Sequence, residues 1–134
     1  VNELLNGGVV IIFPSGAISR AKRFVDKAVD PIWKKFVAKL ATQPGTQVLP
    51  FFIEGQNTPI FQFAIHCSQT LGYSLMFREI CKRMYRPVNI QMRPILTNQM
   101  INDISDRNKL VDTLRNITYF GTAEASVSIN NSLK

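Results

Sequence analysis

The sequence feature that most constrains the fold is an uninterrupted run of apolar, mostly β-branched residues at positions 9–13, VVIIF. Two glycines precede this run and Pro14 follows it. A half-buried strand alternates apolar and polar side chains, whereas a strand covered on both faces does not. The run therefore predicts a strand inside a sheet that has helices on both of its faces.

The rest of the chain is predicted to alternate between helices and strands. After Pro31, apolar side chains recur at helical spacing in Trp33, Phe36, Val37 and Leu40. The later predicted elements are a strand over 46–53, a helix over 61–84, a strand over 87–92 and a helix after Ser105. This order predicts an α/β fold, in which a layered, mostly parallel sheet is flanked by helices. Because only VNELLN precedes the first strand, we expect the sheet to be incomplete on its N-terminal side.

Charge and composition narrow the choice of partners. Sixteen Lys and Arg residues against nine Asp and Glu residues give a net charge of +7, which favours anionic partners. We expect no nucleic-acid binding, because no predicted helix carries a dense basic stripe with exposed aromatic residues. A single histidine and two cysteines without Cys-x-x-Cys spacing predict no metal site. We expect Cys67 and Cys81 to be free, buried thiols.

Polar loops follow two of the predicted strands. Residues 14–20, PSGAISR, combine glycine, two serines and an arginine, which suit a phosphate or another anion. Residues 54–57, EGQN, follow the second strand, and parallel neighbouring strands would bring both loops to one cleft. An ordinary surface loop is the alternative for 14–20. A Ser15 nucleophile with His66 as its base is a further alternative, although the Gly-x-Ser-x-Gly pattern is missing.

The sequences around these two loops resemble two conserved blocks of the glycerolipid (lysophospholipid) acyltransferases. GGVVIIFPSGAISR is similar to the family's third block, in which a strand runs into Phe-Pro-Glu-Gly and then a Ser or Arg. VLPFFIEGQNTPIFQ is similar to the fourth block, a strand with Val-x-Pro before a Gly-x-Asn turn. The resemblance covers nearly all of residues 1–120 and looks closest to the haemolysin-related branch, which includes ornithine-lipid acyltransferases.

The resemblance implies a reaction and a set of binding residues. A fatty acyl group would move from acyl carrier protein or coenzyme A to a lysolipid or amino-lipid acceptor. No bound cofactor is implied, because the thioester donor is a substrate. Two walls would hold the acceptor's head group, formed by Phe13, Pro14, Ser15, Gly16, Ser19 and Arg20 on one side and by Pro50, Glu54, Gly55 and Asn57 on the other.

Two departures from the family's pattern bear on activity. Ser15 stands where the third block usually has a glutamate, which argues against ordinary glycerol-phosphate acceptors. The family's catalytic pair, a histidine followed after four intervening residues by an aspartate, is absent, since His66 has Leu71 at the aspartate's position. An imidazole oriented by a carboxylate must take the proton of the attacking acceptor. We therefore predict that no catalytic residue lies in this chain and that the chain alone is inactive.

These expectations together define a domain and a location. Residues 1–120 would be the C-terminal part of an acyltransferase-like domain whose catalytic half lies upstream, and 121–134 would be a polar tail. The full-length protein would act in phospholipid biosynthesis, on the cytoplasmic, inner face of the cell membrane, in contact with anionic lipid. An unpaired sheet edge favours self-association. A non-catalytic lipid-binding or membrane-associating module on the same scaffold is the alternative.

Overall fold

The structure is a computed structural model that describes residues 2–23 and 26–121. The structure is mainly helical, with 45% of it in helices, and its sheet has two antiparallel strands. The prediction of a layered, mostly parallel sheet is therefore wrong. The predicted tail falls almost entirely outside the described residues. In chain order the elements are α1 (Asn2–Leu5), α2 (Phe36–Ala41), β1 (Phe51–Ile53), α3 (Pro59–Cys67), α4 (Gln69–Arg83), β2 (Ile90–Met92), α5 (Asn98–Asn102) and α6 (Arg107–Phe120).

The apolar run at 9–13 belongs to no strand. Val9 is 90% exposed, Ile11 is 83% exposed and Phe13 is 75% exposed. Within the described chain, residues 9–12 have no backbone hydrogen-bond partner. A β-branched run is buried as a strand only where neighbouring strands pair with it and helices cover the sheet. The two short strands of this structure do not pair with residues 9–13.

The chain divides into two compact units, each assembled from separate segments. Unit 1 consists of Val1–Gly16, Ile32–Phe52 and Ile90–Lys134. Unit 2 consists of Ala17–Pro31 and Ile53–Asn89.

The core of unit 1 lies between α2 and α6. Asp106 caps α6, since its side chain accepts a hydrogen bond from Asn108 N at 2.7 Å, and the predicted cap Ser105 is one residue too early. The helix α2 begins at Phe36 instead of directly after Pro31. The apolar face predicted for the last helix is buried as expected, with Leu110, Val111, Leu114 and Ile117 in the core. This face confirms the prediction of α6.

The sheet of β1 and β2 is shorter than the sequence predicts. Each strand has three residues, where the sequence predicts strands over 46–53 and 87–92. Beyond the strands, Val48 and Leu96 exchange backbone hydrogen bonds of 3.0 and 2.8 Å. Between the strands and this bridge, Arg93 N donates to the carbonyl of Pro50 at 2.9 Å. Proline itself has no N–H to donate, which limits pairing on this side of β1.

Unit 2 is built around α3 and α4, which the sequence predicts as one helix over 61–84. The helical conformation is interrupted between them at Ser68, whose φ of −160° and ψ of 134° are extended. Thr58 caps α3 by accepting a hydrogen bond from Phe61 N at 3.4 Å. The two helices pack closely at Gly72, where an added Cβ would lie 2.7 Å from the Cβ of Ile65. Glycine inside α4 is therefore explained by the close approach of α3.

Candidate functional site

The first predicted wall begins with a turn in unit 1. Gly16 has a positive φ of 62°, and its N–H donates to the carbonyl of Phe13 at 3.1 Å. The carbonyl of Pro14 accepts a hydrogen bond from Lys34 N at 3.0 Å. Ser15 is buried, with 6% of its surface exposed. The expected turn is present, but the Ser15 side chain is turned away from solvent and the Gly16 N–H is used inside the turn.

Pro50, from the second predicted wall, also lies in unit 1. It is buried directly before β1, and its carbonyl is bonded to Arg93. The place of Pro50 in the binding wall stays a prediction.

Ser19 and Arg20 lie in unit 2, on a segment that folds back on itself. The N–H of Arg20 donates to the carbonyl of Val29 at 3.1 Å, and the N–H of Val29 donates to the carbonyl of Arg20 at 3.0 Å. The hydroxyl of Ser19 donates to the carboxylate of Asp30. The Ser19 hydroxyl is thus occupied within the segment. Arg20 is a half-buried residue, and its guanidinium has no hydrogen-bond or ion-pair partner in the described part of the chain.

Gln56 joins this segment to the loop that follows β1. Its side-chain Oε1 accepts a hydrogen bond from Ala28 N at 2.9 Å. Its backbone carbonyl accepts a hydrogen bond from Nη2 of Arg83. The segment that carries Arg20 and the EGQN loop are therefore held together inside unit 2. The sequence gives no signal for these contacts, because Gln56 and Arg83 are 27 residues apart in the chain.

The other three predicted residues of the second wall occupy this same loop. Gly55 has a φ of 121°, and an added Cβ would lie 2.7 Å from Nη1 of Arg83. Glu54 forms two hydrogen bonds with Asn89. The Asn89 Nδ2 donates to Oε2 of Glu54 at 3.3 Å, and the backbone N–H of Glu54 donates to the Asn89 carbonyl at 3.0 Å. Asn57 is half-buried. Glu54 and Gly55 thus position the loop and its arginine.

The segment is fixed to α3 by two further residues. Gln62, with 2% of its surface exposed, accepts a hydrogen bond from Ala21 N on its Oε1 at 3.2 Å. His66 Nε2 lies 2.8 Å from the carbonyl oxygen of Ala21. A carbonyl oxygen only accepts, so this ring nitrogen donates and cannot act as a base in this geometry. The alternative of a serine nucleophile with His66 as its base stays a prediction.

The predicted site residues are divided between the two units. Phe13, Pro14, Ser15, Gly16 and Pro50 belong to unit 1, and Ser19, Arg20, Glu54, Gly55 and Asn57 belong to unit 2. Within unit 2, the hydrogen bond between Gln56 and Ala28 holds the EGQN loop against the segment that carries Arg20. The single groove expected from all ten residues stays a prediction.

Metal-ligating side chains do not gather anywhere in residues 2–23 and 26–121: no group of three or more His, Cys, Asp and Glu could hold an ion. Cys67 and Cys81 are free but exposed, so the expectation of buried thiols is wrong. Over the same residues, the helices are too short or too polar to cross a membrane. A comparison of the chain with protein-family models, curated proteins and solved structures gives no match.

Proposed function

We propose that this chain is the substrate-binding part of a fatty-acyl transferase. The acyl group would move from acyl carrier protein or coenzyme A to a lysolipid or amino-lipid acceptor. The observation that carries the proposal is that the guanidinium of Arg20, a half-buried residue, has no hydrogen-bond or ion-pair partner among the described residues. A forked, permanently charged donor of this kind suits the phosphate or carboxylate of a lipid head group.

The surroundings of Arg20 support a binding role because they fix its backbone before any ligand arrives. Val29 bonds both backbone groups of Arg20, and Gln56 holds the neighbouring Ala28. Binding to a cation whose backbone is already fixed costs less conformational entropy than binding that must first order a loop.

In the proposed reaction, the residues of this chain position the acceptor and do not transfer a proton. The acceptor's hydroxyl or amine attacks the thioester carbon, the carbon–sulfur bond breaks, and an ester or amide forms as the thiol leaves. The attacking group must give its proton to an imidazole held by a carboxylate. His66 lacks the carboxylate partner of the family's pattern, since Leu71 stands at the aspartate's position. We therefore expect no acyl transfer by the chain alone.

A second candidate is a non-catalytic lipid-binding module. The guanidinium of Arg20, which has no partner among the described residues, would serve such a module equally well. The two candidates share their ligand and differ in turnover.

Binding of the acceptor tests the shared part of both candidates. The chain would be titrated with monomeric lysophosphatidate and, separately, with lyso-ornithine lipid. Calorimetry would measure the affinity for each lipid. We expect Arg20→Ala to weaken binding by about tenfold, the effect of losing one or two charge-assisted hydrogen bonds. Arg23→Ala, which removes an exposed arginine three residues away, is the matched control and should change the affinity by less than about twofold. Equal losses in both variants would reduce the effect to net charge and contradict the assignment of Arg20.

Turnover separates the two candidates. The complete gene product would be supplied with acyl carrier protein and coenzyme A thioesters and with both acceptors. Acyl transfer with a raised acceptor KM in Arg20→Ala supports the enzyme. Acceptor binding without transfer from either donor supports the module.

A further inference from the structure

We propose that Asn6 is a site of spontaneous deamidation, which converts its side-chain amide to a carboxylate and thereby opens the short helix α1. The modification needs water and no enzyme. Asn6 lies in unit 1, and its reaction does not involve Arg20, so the inference goes beyond the proposed function and does not depend on it.

Asn6 differs from the other asparagines of the chain in the residue that follows it. The chain has ten asparagines, and Asn6 alone precedes a glycine. In deamidation, the backbone nitrogen of the following residue attacks the asparagine side chain, and a side chain on that following residue hinders the attack. Gly7 has no Cβ and therefore offers no such obstacle. The sequence makes Asn6 the most reactive asparagine of this chain.

The surroundings of Asn6 leave room for the reaction. Asn6 and Gly7 are both exposed. Apart from the neighbouring residues in the chain, no described atom lies within 4 Å of the position that a Cβ on Gly7 would occupy. The side-chain amide of Asn6 has no hydrogen-bond partner among residues 2–23 and 26–121. The amide is therefore free to turn toward the backbone nitrogen of Gly7.

The backbone around Gly7 restrains the reaction. Gly7 has a positive φ of 76°, and its N–H donates to the carbonyl of Leu4 at 3.1 Å. The N–H of Gly8 donates to the carbonyl of Glu3 at 2.7 Å. These two bonds together form the Schellman motif, a common helix ending. The attacking nitrogen is thus engaged while α1 is intact, and it is released only when the motif opens.

The helix α1 opens readily because little holds it. It has four residues, and none of them is buried. A helix of this length is marginal in water without tertiary packing. Local opening of such a segment costs little free energy. The rate of deamidation is therefore set by the fraction of time that the Schellman motif is open.

The reaction proceeds in two steps. The Gly7 nitrogen gives its proton to hydroxide and attacks Cγ of Asn6. A nitrogen–carbon bond forms, and the Cγ–Nδ2 bond breaks as ammonia leaves with a proton from water. Water then adds to one of the two carbonyl carbons of the resulting five-membered imide. Breaking the new bond to Cγ gives aspartate, and breaking the bond to the main-chain carbonyl carbon gives isoaspartate.

The new carboxylate disfavours the return of α1. It lies at the C-terminal end of the helix, where the helix dipole is negative. A second carboxylate is close to this end, because Oε2 of Glu3 would lie 3.3 Å from a Cβ on Gly8. Like charges three residues apart on a helix repel each other. In isoaspartate, an additional main-chain methylene also changes the spacing between the partners of the motif. Deamidation therefore makes a transient opening permanent.

Ageing of the full chain tests the site. The protein would be incubated at mildly alkaline pH, digested with trypsin and analysed by tandem mass spectrometry. We expect aspartate and isoaspartate to accumulate at position 6, in the peptide that ends at Arg20, before they accumulate at any other asparagine. An unmodified position 6, or an earlier reaction at another asparagine, would overturn the proposal.

Two glycine variants separate the reactive pair from the motif that restrains it. Gly7→Ala places a Cβ on the attacking residue and should slow the reaction by about tenfold, although strain at a positive φ also opens the motif. Gly8→Ala keeps the Asn6–Gly7 pair, but its Cβ would lie 2.7 Å from the carbonyl oxygen of Glu3. We expect Gly8→Ala to raise the rate by about threefold, the effect of losing one net hydrogen bond. An unchanged rate in Gly7→Ala would contradict the chemistry, and an unchanged rate in Gly8→Ala would contradict the restraint.

Hydrogen exchange tests the consequence for α1. Asn6→Asp carries the charge of the product, and its Gly7 and Gly8 amides should exchange about threefold faster than those of the unchanged chain, after correction for intrinsic rates. Asn2→Asp is the matched control, because it adds the same charge at the other end of α1, where the helix dipole favours it. We expect no acceleration in the control. Equal exchange in Asn6→Asp and the unchanged chain would contradict the opening of α1.

Discussion

The carboxylate of Glu79 receives two hydrogen bonds from one residue, Thr58. The backbone N–H of Thr58 donates to Oε2 at 2.8 Å, and its hydroxyl donates to Oε1 at 2.6 Å. Because the Thr58 oxygen also caps α3, this pair ties the start of α3 to the last turns of α4. The spacing of Glu79 and Arg83 favours an ion pair along α4, but both side chains are used to hold other segments.

We expect Glu79→Gln to lower the free energy of unfolding by about 1–3 kcal/mol, because the amide NH₂ would face one of the two Thr58 donors. Urea denaturation followed by circular dichroism measures the change. Asp112→Asn, on an exposed position of α6, is the control and should cost less than about 0.5 kcal/mol. Equal effects in the two variants would contradict a special role of the Thr58–Glu79 pair.

The same pair predicts the acid dependence of stability. Burial of the Glu79 carboxylate raises its pKa, but the side-chain and backbone hydrogen bonds from Thr58 and the charges of Lys82 and Arg78 lower it by more. The folded pKa therefore lies below the ordinary value of 4.5, and the contribution of Glu79 is fully present above that pH. As pH falls from 4.5 through the lowered folded pKa, this stability is lost. The free energy of unfolding of Glu79→Gln, measured across the same range, should fall less steeply than that of the unchanged chain.

Gly72→Ala should destabilise the protein although alanine favours helices. The new Cβ would lie 2.7 Å from Ile65 Cβ and 2.9 Å from its Cα, which the backbone of α3 cannot easily avoid. We expect a net loss of about 1–3 kcal/mol, against a propensity gain of about 1 kcal/mol. Thermal unfolding measures it. Ser74→Ala, on the exposed side of the same helix, should leave the stability unchanged or slightly raised, and a Gly72→Ala protein as stable as this control would contradict the close packing.

Arg93 holds the end of α6. Its Nε donates to the carbonyl of Thr118 and its Nη2 to that of Tyr119, both at 3.0 Å, and its guanidinium lies 6.0 Å from the ring centroid of Phe52. Lysine carries the charge but lacks the rigid planar fork that places two donors on the two carbonyls, so we expect Arg93→Lys to cost about 1 kcal/mol and Arg93→Ala to cost more. Chemical denaturation gives both values. Full rescue by lysine would reduce the role of Arg93 to its charge.

The exposure of residues 9–13 also has a measurable consequence. Ile11→Lys should change the free energy of unfolding by less than about 0.5 kcal/mol, since its side chain already meets water. Leu114→Ala, in the core of unit 1, should cost about 2–5 kcal/mol and provides the reference. A loss at Ile11 comparable to that at Leu114 would show that this run is buried in solution, as a central strand would be.

The sequence predicts the helices of this protein better than its sheet. The face of α6 is formed by Leu110, Val111, Leu114 and Ile117, and its spacing is set by contacts within two turns of one helix. The run at 9–13 has no such local partner, because a strand needs neighbours from elsewhere in the chain. The sequence pattern of a continuous apolar run is the same whether or not the fold supplies other strands to pair with it.

The candidate site shows the same limit. The two polar loops can be located from glycine, proline and serine alone. The contacts that hold them depend on Gln56, Arg83 and Gln62, which lie far from their partners in the chain and match no motif. Arg20 could be proposed as a ligand-binding residue from its type, but only the structure shows that no residue of 2–23 and 26–121 binds its guanidinium.

The arrangement of segments in the two units restricts how this protein can be divided. The backbone passes from one unit to the other after Gly16, Pro31, Phe52 and Asn89. No single proteolytic nick or truncation therefore yields one intact unit as a contiguous polypeptide. Expression of either unit alone would require deleting internal stretches and religating the remainder with designed linkers.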